Sequence, residues 1–165
     1  ETLLLSSAKN QKYQHIHGYG QYGRWLPQAL KEKGLDPAKA KNIVLKEYIR
    51  NMPECLAAAD LVICRAGAIT LSELQARGRA SILIPSPNVA ENHQYHNAMA
   101  LVRRRAALMI EEKDLTGEAL CKKVEKVFAL PGGTKEIGAN AEKMAIIDAN
   151  ERIYRIIREI LARRA

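Results

Sequence analysis

The sequence has few aromatic residues, no paired cysteines and no long apolar run. Aromatic residues make up 5% of the 165 residues, so the core must be built mainly from Leu, Ile, Val and Ala. The three cysteines, Cys55, Cys64 and Cys121, form no CxxC pair. Their spacing argues against a disulfide framework or a zinc site and favours a reducing cytosol. No signal peptide is apparent, and no apolar run approaches the roughly 18 residues that cross a bilayer.

The composition is that of a globular protein with a basic surface. Hydrophobic residues make up 47% of the chain, and its length suits one domain with a sizeable core. The formal net charge of +8 suggests an anionic partner. Nucleic acid, a phosphorylated ligand and an anionic membrane surface all satisfy that requirement, and charge alone does not choose among them.

Short apolar runs alternate with amphipathic stretches along the chain. The pattern predicts strands over residues 13–17, 42–47, 61–64, 81–84 and 106–110. It predicts helices over 24–33, 53–59, 70–77, 92–104 and 115–129, and one or two helices over 139–164. This alternation indicates an α/β fold with a mostly parallel sheet. The strand over 61–64 is entirely apolar, and we expect it to be buried on both faces. Ligands bind such sheets at the carboxyl ends of the strands.

The turn after Cys64 reads RAGAIT over residues 65–70 and leads into a helix. The first N–H groups of a helix have no internal partner, so those of Ala68, Ile69 and Thr70 suit a diphosphate. The alternative is an ordinary strand-to-helix turn with a capping box, because TLSE at 70–73 fits the S/T-x-x-E pattern. The local pattern alone favours that alternative, since such turns are common.

Two charged side chains near this turn each have two interpretations. Glu73 either caps the backbone at Thr70 or accepts hydrogen bonds from a ribose diol, as acidic residues do in dinucleotide sites. Arg65 either pairs with a phosphate or is a solvated charge.

The loop after the fourth predicted strand is rich in polar side chains. They offer the donors and acceptors that sugar hydroxyls and an acetamide need, and they are Glu91, Asn92, His93, Gln94, His96 and Asn97. Capping by Asn92 would explain one of these residues and not the others. The two histidines lack a third ligand at a recognised spacing, so we predict no metal site.

Basic residues recur in the second half of the chain, at 103–105, at 122, 123 and 126, and from Arg152 to Arg164. In the last segment Ile153, Ile156, Ile157, Ile160 and Leu161 form an apolar stripe at helical spacing. We expect this helix to pack on the domain with a solvated basic face. Contact with anionic lipid headgroups is the alternative. Nucleic acid is less favoured, because the chain has no known binding motif and few aromatic residues for stacking.

Three segments together resemble the MurG family of UDP-N-acetylglucosamine (UDP-GlcNAc) transferases, which convert lipid I to lipid II in peptidoglycan synthesis. They are DLVICRAGAITLSE at 60–73, IP at 84–85 and HQYHNA at 93–98. The resemblance runs from about Tyr13 to the end of the chain. It implies the C-terminal half of a two-domain GT-B glycosyltransferase, a Rossmann-like domain with a mostly parallel sheet and helices on both faces.

The resemblance also implies a donor site. Its members are Ile49, Arg65, Ala68, Ile69, Thr70, Glu73, His93, Gln94 and Asn97, with Tyr48 and Met52 lining a uracil pocket. By position, residues 68–70 hold the diphosphate, Glu73 binds the ribose, and His93 and Gln94 contact the GlcNAc hydroxyls. Ile49 contacts the uracil through its backbone. The family usually has Asp where this chain has Glu91 or Asn92.

Several further expectations follow from the resemblance. Residues 1–165 form one UDP-sugar-binding domain that lacks the family's first strand and Gly-rich GGSxGA loop, with residues 139–165 as a helical segment packed on it. No cofactor, no metal and no catalytic residue are expected in this chain. Expected partners are UDP-GlcNAc, lipid I and the anionic inner leaflet of the cell membrane, with no nucleic acid.

The resemblance makes the parent protein an inverting hexosyltransferase, cytoplasmic and peripheral to the membrane, with a role in cell shape and division. The chain alone is expected to be inactive. Two alternatives stay open: a stand-alone donor-binding subunit that needs an acceptor partner, and a non-catalytic basic α/β module that binds anionic lipid or nucleic acid.

Overall fold

The computed structural model describes residues 1–163 as an alternation of helices and short strands. The helices are α1 (Thr2–Asn10), α2 (Leu26–Glu32), α3 (Met52–Ala58), α4 (Ala68–Ala76), α5 (His93–Val102), α6 (Gly117–Ala129), α7 (Gly133–Glu142) and α8 (Ala149–Ala162). The strands are β1 (His15–Gly18), β2 (Ile43–Lys46), β3 (Leu61–Cys64), β4 (Ala80–Leu83) and β5 (Leu108–Met109). Among these residues, no helix is both long and apolar enough to cross a membrane.

The strands form two parallel sheets. One contains β1 and β2, and the other has the order β3-β4-β5. Cys64 lies opposite Leu83, and Gly18 lies opposite Lys46, so the carboxyl ends of paired strands are level. The predicted α/β class with parallel strands is confirmed. Strand β5 is shorter than predicted, because only Leu108 and Met109 pair with β4.

The expectation that β3 is buried on both faces is wrong. Each of its four residues is partly exposed, whereas all four residues of β4 are buried. The reason is position in the sheet: β4 has a neighbour on each side, but within residues 1–163 β3 pairs only with β4. A sheet broken beside β3 is consistent with the expectation that a central strand is lacking, which stays a prediction.

The core lies on the β3-β4-β5 sheet and the helices against it. Leu74 of α4, Leu83 of β4 and Ala98 of α5 are completely buried in one cluster. A second cluster joins the other side of β4 to α6 and α7. Helix α7 approaches the turn after α4 closely, since a Cβ at Gly138 would collide with the carbonyl of Gly78. This packing fixes α4, and with it the turn that precedes α4.

Residues 139–163 contain the end of α7 and the whole of α8, and of these two helices only α7 packs on the domain. Helix α7 buries Ile137 and Ala141. Helix α8 buries no residue, and its predicted stripe is between 49% and 63% exposed. The prediction that residues 139–165 pack on the domain is therefore wrong for α8. Helical periodicity identifies an apolar face but does not show that the domain offers a surface to cover it. Arg164 and Ala165 lie outside the described residues.

Candidate functional site

The turn between β3 and α4 leaves the first amides of the helix open. Gly67 is the N-cap residue, with φ −70° and ψ 141°, and no side chain among residues 1–163 caps the helix. The first helical hydrogen bond runs from the Leu71 N–H to the Gly67 carbonyl, at 3.0 Å. The N–H groups of Ala68, Ile69 and Thr70 therefore have no partner within the helix. Ile69 is 80% exposed, so the turn is open to solvent and its N–H groups can donate hydrogen bonds to an anion.

The capping-box alternative for this turn is wrong. It requires Thr70 at the N-cap, but the helix begins at Ala68, two residues earlier than predicted, and Thr70 is its third residue. Glu73 then lies too far along the helix to reach the N-cap backbone. Its side chain is exposed and forms no hydrogen bond or ion pair with any described residue. The carboxylate is thus available to a ligand about one turn from the open amides.

The first turns of α5 directly contact the turn between β3 and α4. The Oε1 atom of Gln94 accepts hydrogen bonds from the Ala66 N–H at 3.3 Å and from the Ser86 N–H at 2.9 Å. The Nδ2 atom of Asn97 donates to the Ala66 carbonyl at 3.2 Å. The two segments that the sequence analysis singled out, around residues 67–70 and 93–97, are therefore adjacent.

His93 lies at the start of α5 in an unusual turn. Its Nδ1 atom is 3.0 Å from the Ala90 carbonyl, and the ring is exposed. Glu91 and Asn92, just before it, have φ values of 52° and 50°, in the left-handed region. Two consecutive left-handed residues are rare outside glycine, and such strain is concentrated at functional sites. Asn92 caps no helix amide with its side chain.

Arg65 is engaged by protein groups. Its Nη1 atom donates to the Ile84 carbonyl at 3.3 Å and forms an ion pair with Glu112. The guanidinium is thus directed towards the end of β4, so a phosphate would compete with Glu112 for it. No local pattern predicts this pair, because 47 positions separate its partners. A phosphate role for Arg65 stays a prediction.

Two cavities lie near the carboxyl ends of the strands. One, of about 370 Å³, lies beside the start of α5 and is lined by Pro85, Pro87, Asn92, Tyr95 and residues 111–113. The other, of about 490 Å³, follows β2 and is lined by residues 46–48, Arg50 and Asn51. Sequence reasoning singled out Asn92 and Tyr48 among these residues. Of the others, Lys46 ends β2 and Tyr95 lies in α5, and the rest come from loops whose positions depend on how the strands pair.

The predicted uracil-binding residues lie beside the second cavity. Tyr48 lines it and is 76% exposed, and Met52 is 40% exposed. The Ile49 side chain packs towards Gly18, since a Cβ there would lie 3.3 Å from its Cδ1 atom. This contact turns the Ile49 side chain inwards, so a ligand would meet the segment through its backbone. The uracil role stays a prediction.

Two further features bear on the chemistry of the site. Burial raises the pKa of the Cys64 thiol to about 11, so it stays protonated at neutral pH and is a poor nucleophile. Within residues 1–163, no group of three or more His, Cys, Asp or Glu side chains could hold a metal ion. The arrangement therefore offers binding groups: open amides, a free carboxylate and neutral polar side chains.

Comparison with known proteins identifies similar chains. A model of the glycosyltransferase family 28 C-terminal domain matches residues 2–153. Relatives in Thermoanaerobacter sp. (strain X514) and in Acetivibrio thermocellus are each 45% identical, over 96% and 81% of this chain. Both are named UDP-N-acetylglucosamine–N-acetylmuramyl-(pentapeptide) pyrophosphoryl-undecaprenol N-acetylglucosamine transferase. The chain spans less than half the length of these relatives, 43% and 36%.

Solved structures give the same picture of the fold. The crystal structure of Acinetobacter baumannii MurG superposes with a TM-score of 0.74 at 26% identity, covering 94% of this chain and 44% of that one. The glycosyltransferase VinC superposes with a TM-score of 0.62 at 20% identity, covering 84% of this chain and 33% of that one, a likeness of fold alone. The predicted Rossmann-like architecture of a GT-B C-terminal half is confirmed.

Proposed function

Because the chain belongs to the glycosyltransferase family 28 C-terminal domain family, we propose that it binds UDP-GlcNAc as the donor half of a transferase. The parent enzyme moves N-acetylglucosamine onto the lipid-linked N-acetylmuramyl-pentapeptide, converting lipid I to lipid II. The names of the relatives at 45% identity support this substrate pair. In this proposal the acceptor site and the catalytic base belong to the part of the relatives' length that this chain does not span.

One observation carries the proposal: the open amides of α4 lie directly beside the polar start of α5. The amides of residues 68–70 suit a diphosphate, whose charge is also stabilised by the positive end of the helix dipole. Gln94 and Asn97 both contact Ala66, two residues before α4. A sugar linked to a diphosphate at α4 therefore reaches the start of α5, where His93 is exposed.

The remaining predicted residues complete the donor site in this proposal. The exposed Glu73 carboxylate, about one turn along α4, accepts hydrogen bonds from the ribose hydroxyls. The segment containing Tyr48, Ile49 and Met52 receives the uracil, and the cavity beside Tyr48 supports that assignment. Arg65 reaches a phosphate only if its pair with Glu112 opens.

The reaction we propose is a direct displacement at the anomeric carbon. A hydroxyl of lipid I forms the new bond to that carbon while the bond to the diphosphate oxygen of UDP breaks, with inversion. The electron pair of the broken bond remains on UDP, and the proton of the hydroxyl passes to a base outside this chain. Negative charge grows on the diphosphate as UDP leaves, so the α4 amides stabilise the transition state more than the ground state.

The acceptor determines where such an enzyme works. Lipid I is held in a membrane, so the parent protein acts as a peripheral protein at the cytoplasmic face of the cell membrane. The net charge of +8 favours contact with an anionic leaflet. Binding of intact vesicles of anionic lipid by the parent protein tests this part of the proposal.

Calorimetric titration of the chain with UDP and with UDP-GlcNAc tests the donor site. We expect both ligands to bind. Ala68→Pro should lower the affinity for UDP about tenfold or more, because it removes one N–H that donates to a charged group. Proline is tolerated at the first position of a helix, and Gly67 has the extended backbone that a following proline requires. The Ala68→Gly variant keeps the amide and is the matched control.

A second variant tests the ribose contact. Glu73→Ala should lower the affinity for both UDP and UDP-GlcNAc. Glu125→Ala, at an exposed position of α6, should leave both affinities unchanged. Salt-dependent binding of RNA or lipid vesicles without any UDP binding would instead favour the basic-module alternative.

A further inference from the structure

Ala66 is held through its backbone by two side chains of α5. The residue is completely buried. Its N–H donates to Gln94 Oε1, and its carbonyl accepts from Asn97 Nδ2. We call this pair of side chains on Ala66 the Ala66 clasp. Both backbone groups of the residue are thus satisfied by side chains, although Ala66 lies just beyond the end of β3.

The oxygen of Gln94 also bonds a second loop. It accepts the Ser86 N–H, three residues after β4, in addition to the Ala66 N–H. An amide oxygen has two lone pairs, so both are occupied. One side chain therefore ties the loop after β3 to the loop after β4. The Gln94 Nε2 atom has no hydrogen-bond partner among the described residues.

The clasp acts immediately before the amides of α4. Gly67, the N-cap residue, follows Ala66 directly, and the open amides of residues 68–70 come next. Gly67 has no Cβ, and no side chain caps α4 within residues 1–163. The direction in which these amides point therefore depends on how Ala66 is held. A small misplacement of preorganised donors costs much of their interaction with an anion.

We propose that Gln94 and Asn97 are positioning residues, which orient the α4 amides for the diphosphate by holding Ala66. This inference rests on the proposed donor-binding function. It is distinct from the direct sugar contact that the family resemblance implies for Gln94, and the two roles give different results for UDP and UDP-GlcNAc. A positioning residue affects the binding of both ligands, because both carry the diphosphate. A residue that only contacts the sugar affects UDP-GlcNAc alone.

Gln94→Leu is the first variant, because leucine has a similar size and no hydrogen-bonding atoms. Calorimetric titration should give a loss of about tenfold or more in affinity for UDP and a similar loss for UDP-GlcNAc. The ratio of the two affinities should stay at the value of the unchanged chain. Asn97→Ala should act in the same direction with a smaller loss. Gln28→Leu, at an exposed position on α2, is the matched control and should change neither affinity.

Gln94→Glu keeps the test decisive if the leucine variant does not fold. Its carboxylate can accept both the Ala66 and the Ser86 N–H, so these amides should keep their protection from hydrogen exchange. The added negative charge repels the diphosphate and so lowers the affinity for both ligands, and the ratio of the two affinities again stays constant. A sugar contact through Nε2 would be lost in this variant, and the affinity for UDP-GlcNAc would then fall more than the affinity for UDP.

The possible failures are distinct. An unchanged UDP affinity in Gln94→Leu, or a loss of affinity confined to UDP-GlcNAc in either Gln94 variant, would overturn the positioning role while leaving donor binding intact. Absence of UDP binding by the unchanged chain would overturn the proposed function, and this inference with it.

Discussion

Single side chains in this protein determine which backbone groups remain available to a ligand. Gln94 and Asn97 satisfy Ala66, whereas nothing within residues 1–163 satisfies the three amides that follow Gly67. The same contrast applies to charges. Arg65 is paired with Glu112, whereas the Glu73 carboxylate has no partner among the described residues. Groups left without a protein partner at an open surface are those that a ligand can use.

Two histidines of β1 should make the stability depend on pH. Burial lowers the pKa of both His15 and His17 below the ordinary value of 6.5, and the His15 Nε2 atom is buried without a partner among the described residues. The folded state therefore binds fewer protons than the unfolded state as the pH falls. Stability should be greatest above about pH 6.5 and should decline as the pH falls below that value towards the lower folded pKa values.

Urea unfolding between pH 7.5 and 5 checks this expectation. Replacing both histidines by Gln should flatten the decline, whereas His96→Gln, at an exposed position, is the control. A decline of equal size in the double variant would show that other groups cause it.

Secondary-structure elements differ here in what lies against them. Helix α4 buries Leu71 and Leu74 and presents its first turn to solvent, so it is both anchored and open. Helix α8 has a continuous apolar stripe but buries nothing. The sequence predicted a helix in both places, and only the surroundings distinguish their roles.

Equivalent truncations in α4 and α8 should have unequal costs. Leu74→Ala leaves a cavity in the core and should lower the free energy of unfolding by about 2–5 kcal/mol. Ile157→Ala removes side-chain atoms that are already half exposed and should change it by no more than about 0.5 kcal/mol. Urea unfolding of the two variants measures the difference. A loss of more than about 1 kcal/mol in Ile157→Ala would mean that α8 packs on the domain.

At the scale of the whole molecule, the division into two sheets is the main feature. The β3-β4-β5 sheet is packed between helices, whereas the β1-β2 sheet joins a smaller cluster with α1 and α2. Within the described residues, no strand joins β1 to β3. Among residues 1–163, β4 is thus the strand that is paired on both sides and fully buried, and β1, β2, β3 and β5 each have an unpaired edge.

Hydrogen exchange should reveal this division. Amides of residues 81–83 should exchange slowly, through global unfolding, because β4 is buried and paired on both sides. Amides of residues 15–18 should exchange at least about tenfold faster through local opening. Equal protection in β1 and β4 would indicate that the two sheets behave as a single unit in solution.

Much of the site could be predicted from sequence because its residues follow strands. Parallel strands end at the same edge of a sheet, so the residues after Cys64 and Ile84 had to lie near one another. Patterns of sequence also favoured a capping box at Thr70 and a packed C-terminal helix, and both predictions were wrong. The start of α4 at Ala68 and the absence of a surface for α8 depend on long-range packing, which local pattern does not contain.

The sequence by itself determined the order of strands and helices from β1 onward, the parallel arrangement and the family, because hydrophobic periodicity and motif spacing are local properties. Only the tertiary structure decided that Gln94 and Asn97 hold Ala66, that Arg65 pairs with Glu112, and that β3 has an open edge. These contacts join residues between 28 and 47 positions apart or depend on a neighbouring strand. Their formation depends on the free energy of the whole fold, so no short segment encodes them.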